Sequence, residues 1–535
     1  MNNANNNVNN SNTGYQNTEF KYSNWKTVLA VLSCLGVVVM FDELMILPAI
    51  PDLIHQFNIT YSTSIWILSS YIIAGAIMTP IAGKLSDLYG RKKILLIIMA
   101  IYSLGLISGR FSTNIEFMIV SRIAQGIGIA MFPIAFAIIR DVLPMEKLAL
   151  GQTVFGSTFA GGAVLGVVGG AIIIQNYGWQ ATFLAILPIS IALSFIIWKF
   201  IRLPEGNSDS SLSYNDSGNN TYDQDKNKAQ NTDEIEYEIS ANTTITKHSL
   251  VQKIDLTGTF ALAITIVSFL AGISMLENGT VNTLYQVGGL FLISIIGLMA
   301  FVIIEKKASL PLLDLKLITN KLFLAPILVL MTVSMSIFMV YQTIPVLVRS
   351  PIPLGFGGDA LATANVQFPF MIVLFIGTII SGFLLNKVGN IRLLILGTAI
   401  SSLGFLSLFM FHSSEVMVSI GLIIIASGLA LTMAGVFNVI LISVPREVTG
   451  IAIGMAILLN LIGMSIGPAL GGIFQQMNQS SVPGVIGLFP NSNAYVMIFL
   501  TALLMSFVSF ILAVFVSRKK PEMDNEVLSI GKHDQ

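Results

Sequence analysis

Apolar positions along this chain fall in long, nearly unbroken runs separated by short polar breaks. Each run approaches the length of about 20 residues that a helix needs to cross a hydrocarbon layer. About fourteen such stretches can be marked, over residues 26–48, 64–83, 94–108 (a short one), 116–139, 150–174, 180–201, 254–276, 284–304, 322–347, 363–385, 391–411, 416–442, 449–474 and 494–516. The pattern predicts an all-α integral membrane protein. One break differs in kind: residues 203–252, which include NSDSSLSYNDSGNNTYDQDKNKAQ, are polar and too poor in aliphatic side chains to bury a core, so they read as a disordered linker. Residues 1–24 are rich in asparagine and lack the basic start and short apolar stretch of a signal peptide, and read as a disordered tail.

Lysine and arginine set the expected orientation, because positively charged loops stay in the cytoplasm. They crowd after the even-numbered spans: Lys84, Arg91, Lys92 and Lys93; Arg140 and Lys147; Lys306, Lys307, Lys316 and Lys321; Lys387 and Arg392; Arg446; and Arg518, Lys519 and Lys520. The loops on the other side offer Arg110 and Arg349. Both termini are therefore expected in the cytoplasm, which requires an even number of spans.

The chain also repeats itself. GKLSDLYGRKK (Gly83 to Lys93) is echoed about 299 residues later by GFLLNKVGNIR (Gly382 to Arg392), with both glycines and a final cation kept in place. GGAVLGVVGG (Gly161 to Gly170) matches IGMSIGPALGG (Ile462 to Gly472) at an offset of about 301, and a Pro-x-Glu turn precedes each, at Pro144 and Pro445. The repeat predicts two six-helix halves, residues 25–202 and 306–517, with two inserted helices over 253–305 and a cytoplasmic tail over 518–535. Parallel repeats of this kind belong to transporters whose substrate site lies between the halves near mid-membrane.

Composition narrows the function. The chain of 535 residues is 54% hydrophobic and 10% charged, with zero formal net charge, so nothing in the balance points to nucleic acid. Its one cysteine, Cys34, excludes an internal disulfide, and four scattered histidines suggest no metal site. No convergent catalytic constellation is visible and no phosphate cradle is present: Leu85 stands where a serine or threonine would follow Lys84, so neither an enzyme nor a cofactor is expected.

Against this background, FDELMILPAIP (Phe41 to Pro51) is anomalous, since it buries Asp42 and Glu43 side by side in the first span. At 1.5 Å per residue, Asp42 lies about 24 Å from the start of that span. Arg122 enters from the other face, about 9 Å deep in a core of about 30 Å, or roughly 21 Å from the inner side. The three charges share a level. An unpaired charge there costs on the order of 2.5 to 3.5 kcal/mol, so intramembrane acids are functional by default. Adjacent helical residues point about 100° apart, and one arginine does not easily satisfy both acids. One acid is expected in a polar network with Arg122, and the other at a wet cavity where its protonation changes with access; a static ion pair is the simpler alternative. Tyr71, Gln125, Gln342, Asn438 and Asn460 are further candidate cavity groups, each also able to serve as an interhelical hydrogen bond.

Several of these stretches resemble one family. GKLSDLYGRKK resembles the signature loop of the major facilitator superfamily, SRIAQGIGIA (Ser121 to Ala130) its fourth-helix Arg-x-x-Gln-Gly motif, and GGAVLGVVGG its fifth-helix antiporter motif. The first-span acid with Ala49, Ile50 and Pro51, together with SLPLLDLKLITNK (Ser309 to Lys321) and the central pair of extra spans, is similar to the fourteen-helix drug:proton antiporters. The chain departs from the pattern where Val167 follows Gly166 in place of proline, where Leu44 and Leu47 replace polar residues, and where only GWQATF (Gly178 to Phe183) remains of a tryptophan-rich segment. The resemblance implies a major-facilitator-type fold and favours Asp42 as the coupling acid.

It also implies a conformational latch of Gly83, Asp87, Gly90 and Arg91 with Asp141, which holds the halves closed inside. Asn386 replaces the acid in the second copy. The glycines Gly162, Gly166, Gly169 and Gly170, and Gly467, Pro468 and Gly471 in the second half, read either as plain close packing or as a bendable face. The function expected is proton-coupled efflux of small amphipathic or cationic compounds across the plasma membrane by a monomer, with protons, a small-molecule substrate and the lipid bilayer as partners. A proton-coupled nutrient importer and a non-transporting sensor are the alternatives.

Overall fold

A computed structural model describes residues 25–200, 256–275, 281–307, 320–444 and 449–518. The expected tails, the linker, the stretch 309–319 and the turn at Pro445 to Glu447 lie outside the described residues. In the first half the helices are α1 (Trp25–Met45), α2 (Ile50–Phe57), α3 (Tyr61–Ser64), α4 (Trp66–Tyr89), α5 (Arg91–Arg110), α6 (Ile115–Gly126), α7 (Met131–Val142), α8 (Met145–Tyr177) and α9 (Gln180–Phe200). The inserted pair is α10 (Leu256–Met275) and α11 (Val281–Lys307). The second half holds α12 (Lys321–Arg349), α13 (Ala360–Val388), α14 (Asn390–Met410), α15 (Glu415–Ile442), α16 (Thr449–Met477) and α17 (Ser492–Arg518), with a short hairpin of β1 (Gln479–Ser481) and β2 (Leu488–Pro490) before the last. Among the described residues 13 helical runs are long and apolar enough to cross a membrane. The remaining expected span is α10, whose apolar stretch Thr257–Gly272 is shorter.

Local chemistry explains the punctuation. Side chains of Thr60, Asn114, Asp359 and Ser414 accept the backbone N–H three residues on and cap α3, α6, α13 and α15. Both repeat loops turn on a glycine with positive φ, Gly90 at 95° and Gly389 at 89°, a conformation that other residues rarely adopt. Two expected spans are not single helices. The first is interrupted after α1 by a tight 3-10 turn at Leu47–Ala49, where Pro48 opens the turn and Pro51 opens α2. The fourth is interrupted between α6 and α7 by the 3-10 turn Ile127–Ala130. That tightening lets Gly126 lie against the Tyr71 backbone and Gly128 against the Tyr102 ring, contacts that a side chain at either position would block.

Glycine ridges fix the relation of the two halves. Gly162, Gly166 and Gly170 of α8 lie on the backbone of Val37, Phe41 and Met45 in α1, while Gly463, Gly467 and Gly471 of α16 lie on Met331, Met335 and Met339 in α12. Both sets step by four residues, which is the spacing of small-residue helix packing. The glycines correspond at an offset of 301 residues (463 less 162) and their partners at 294 (331 less 37). Asp42 therefore has Ser336 as its counterpart, so the acid belongs to the first half alone.

Each half closes on itself through α1 with α8 and α5 with α9, or α12 with α16 and α14 with α15. The inserted α10 and α11 pack on each other, and α10 also touches α4 and α16 beside the seam between the halves. The halves meet at the end remote from the lysine- and arginine-rich loops. There α16 packs on α3 and α4, with Gly472 admitting the Ile65 side chain, and Tyr61 N donates to Gln476 Oε1 at 3.1 Å. At the basic end, Gly83, Gly90, Gly382 and Gly389 face open space.

Candidate functional site

The site begins with a close approach of helices. Gly105 and Gly109 of α5 sit against Gln125 and Ser121 of α6, where a side chain would collide with them. The approach lets Gly105 O accept from both Ser121 Oγ (2.7 Å) and Gln125 Nε2 (2.9 Å). Gln125 Nε2 also donates to Ser121 Oγ at 3.0 Å, so the Gln125 carboxamide is held with Oε1 toward the bundle interior.

Arg122, fully buried, occupies that interior. Its Nη1 donates to Gln125 Oε1 at 2.7 Å and its Nε to Ile67 O at 3.1 Å. The same Nη1 lies 3.5 Å from Asp42 Oδ1 and 3.4 Å from the Asp42 carbonyl, and Nη2 lies 3.4 Å from the Glu43 carbonyl. The guanidinium stacks over the Tyr71 ring, 4.4 Å from its centre, and the Tyr71 hydroxyl donates to Val39 O at 3.0 Å. Arg122 thus binds α1, α4 and α6 into one unit. Desolvation of the cation is offset by an ion pair, hydrogen bonds and a stacked ring together, as a buried charge requires.

The two acids are treated differently. Asp42 is fully buried and paired with Arg122 through Oδ1. Its Oδ2 has no hydrogen bond, and the buried Tyr102 hydroxyl likewise has none. Glu43 is 7% exposed, and among the described residues its carboxylate makes no hydrogen bond and no ion pair. One acid is tied into the Arg122 network and its neighbour is not.

The other sequence candidates separate. Tyr71 and Gln125 join the Arg122 network. Asn460 accepts a hydrogen bond from Ser334 within the second half, and Asn438 donates to Ala434 O within its own helix at 2.9 Å. Gln342 is buried with Oε1 unpartnered, beside a water-sized cavity that it shares with Tyr61, Ser64, Thr343, Pro468 and Gln475. Arg91 forms an ion pair with Asp141 and donates to Ala137 O at 2.8 Å, all within the first half. The Asp87 side chain lies outside the described residues. Gly169 rests against the Phe41 ring, so the fifth-helix glycines pack closely on α1 within the first half.

Sequence reasoning missed Tyr102, Ser121 and the Ile67 carbonyl, whose roles depend on helix rotation. It also missed the pairing of Arg349 with Asp52, which bridges the halves with Nη1 to Oδ2 at 2.7 Å and Nη2 to Oδ1 at 2.5 Å. Arg349 did stand out as one of two cations on its side of the membrane, and Asp52 follows the first span on that same side.

Comparison with known proteins bears on what this arrangement serves. The sequence matches the Major Facilitator Superfamily over residues 32–468 and again over 370–532. It is 26% identical to Multidrug resistance protein 3 of Bacillus subtilis (strain 168), over 71% of this chain and 66% of that protein. It is 26% identical to Multidrug transporter protein MdtP of the same organism, over 64% of this chain and 55% of that protein. The chain thus spans less than two thirds of the length of both relatives. Identity to Multidrug resistance protein Stp of Mycobacterium tuberculosis (strain CDC 1551 / Oshkosh) is 24%, over 82% and 74%. The fold is shared with a bacterial homologue of the human lysosomal transporter Spinster in its inward-facing, unoccupied conformation: TM-score 0.62 at 15% identity, over 94% of this chain and 98% of that one. It is shared also with the inward-open xylose transporter XylE from E. coli, with TM-score 0.55 at 12% identity over 91% and 96%.

Proposed function

The chain belongs to the major facilitator superfamily, and on that premise we propose that it exports small amphipathic or cationic compounds in exchange for protons, by alternating access between its two halves. The observation that carries the reading is the unequal acid pair. Arg122 neutralises Asp42, and the adjacent Glu43 has no counter-charge of its own within hydrogen-bonding distance among the described residues. A loose carboxyl beside a fixed ion pair takes up a proton from whichever side the cavity faces, and gives it up when a cationic substrate or the opposite solvent competes for the site. Each proton moving inward supplies about 2.3 kcal/mol per 100 mV of membrane potential, enough to drive export without ATP. The relatives named as multidrug proteins support the substrate class, and the positive-inside pattern supports a cell membrane location with both termini in the cytoplasm. On this reading the basic end faces inward and the closed end outward, the arrangement of an inward-facing state.

The test is proton release from purified, reconstituted protein on addition of a panel of lipophilic cations, comparing wild type with Asp42→Asn and Glu43→Gln. Release that is kept in Asp42→Asn and lost in Glu43→Gln is the expected result. Absence of release in the wild type, with a ligand that demonstrably binds, would overturn the reading.

A further inference from the structure

The closed end of the molecule carries a charged contact that no motif of the sequence contains. Arg349 ends α12, and Asp52 lies in the first turn of α2, in the other half. They meet in a two-pronged ion pair, and Arg349 Nη1 donates a third hydrogen bond, at 2.9 Å, to Pro48 O. Pro48 belongs to the 3-10 turn that separates α1 from α2. One arginine therefore grips both sides of the break in the first span, six and ten residues beyond Asp42 in the same chain segment (48 and 52 less 42).

The seal beneath this contact is built of parts that gain by opening. Both charges are part-exposed, so parting them returns each to water at little cost. Gln342 Oε1 is buried without a partner, and burial in that condition costs on the order of 1 to 3 kcal/mol, which hydration recovers. Tyr61, Ser64, Thr343 and Gln475 line the same water-sized cavity, and Tyr61 N and Gln476 Oε1 are joined by a single hydrogen bond across the seam. A permanent interface between halves is dry and apolar; this one mixes apolar packing, as of Ile65 on Gly472, with polar groups that are incompletely satisfied, the composition of a contact with two states of similar free energy.

We propose that Asp52 and Arg349 form the outer gate, an ion pair closed in the inward-facing state that parts for substrate to leave. The 3-10 turn at Leu47–Ala49 is the hinge through which the upper end of α1 moves relative to the Asp42–Arg122 pair, and Arg349 clamps that hinge while the gate is shut. The proposal rests on the alternating-access reading above, but its test needs neither a substrate nor a proton measurement.

In intact cells producing the full chain with Cys34→Ser, a cysteine placed at the sealed interface by Ile65→Cys is labelled from outside with a membrane-impermeant maleimide. Asp52→Asn and Arg349→Met are each expected to raise the labelling rate about fivefold, the scale of a partly exposed ion pair. The swap Asp52→Arg with Arg349→Asp is expected to return it toward the parent rate. In everted vesicles, a cysteine at the basic end introduced by Gly83→Cys is expected to label more slowly in the same single variants, since the inner side closes as the outer opens. Unchanged outer labelling in both singles, a swap that labels as fast as the singles, or faster labelling at both ends, which is unfolding, would overturn the gate. Loss of the proton-release result with these responses intact would remove proton coupling and leave the gate standing.

Discussion

Replacing Arg122 by methionine tests the site at its centre. The substitution keeps most of the side-chain volume and removes the donors to Gln125 Oε1 and Ile67 O, the ion pair with Asp42 and the stack on Tyr71. Breaking a buried ion pair by deleting one member costs about 3 to 5 kcal/mol when the remaining charge stays ionised. Asp42 escapes part of that cost by taking a proton, but Gln125 and Ile67 still lose donors at on the order of 1 kcal/mol each or more. The expected loss is therefore about 3 kcal/mol or more, a large share of the stability of an ordinary domain. Reversible unfolding in mixed micelles over a denaturing-detergent gradient measures it. The same measurement on Asp42→Asn and on the double variant completes a cycle, and Asp42→Asn is expected to cost less once Arg122 is gone, with a coupling of about 1 to 3 kcal/mol. A loss below about 1 kcal/mol in Arg122→Met, or strict additivity in the cycle, would refute the view that Arg122 and Asp42 act as one buried unit.

Three further outcomes follow from contacts already described. Glu43→Gln is expected to change stability by less than about 0.5 kcal/mol in the same unfolding assay, because it removes no hydrogen bond among the described residues. Gly162→Ala is expected to destabilise by about 1 to 3 kcal/mol, since its methyl runs into Met40 and the Val37 carbonyl, while Gly161→Ala, one residue away and facing open space, is expected to be neutral or slightly stabilising. Arg91→Gln is expected to cost no more than about 1 kcal/mol in the unfolding assay, since its pair with Asp141 is part-exposed.

Much of this was legible in the sequence because the bilayer imposes a ruler. Depth arithmetic alone put Asp42, Glu43 and Arg122 at one level, and the structure brings Arg122 against Asp42. The glycine echoes identified the helices that correspond, and the structure places the second glycine of each repeat loop at a turn of positive φ. Rotation about each helix axis was not legible, which is why Tyr71 and Gln125 stayed open between cavity groups and interhelical hydrogen bonds, and Tyr102 was not singled out. Nor was the break at Ile127–Ala130, where the tightening answers to neighbours in α4 and α5. The repeat offset read from loops and glycines, 299 to 301, could not anticipate 294 in the first helix of each half, because the connecting segments differ in length. The Asp52–Arg349 contact, 297 residues apart in sequence, needs the placement of one half against the other.

The position of the inserted pair makes the two flanks of the molecule inequivalent. Among the described residues the inserted pair packs at one seam between the halves, α10 against α4 and α16, and not at the other, where α8 meets α13. The described helices thus flank the two seams unequally, an asymmetry that a twelve-helix frame of two equal halves would lack.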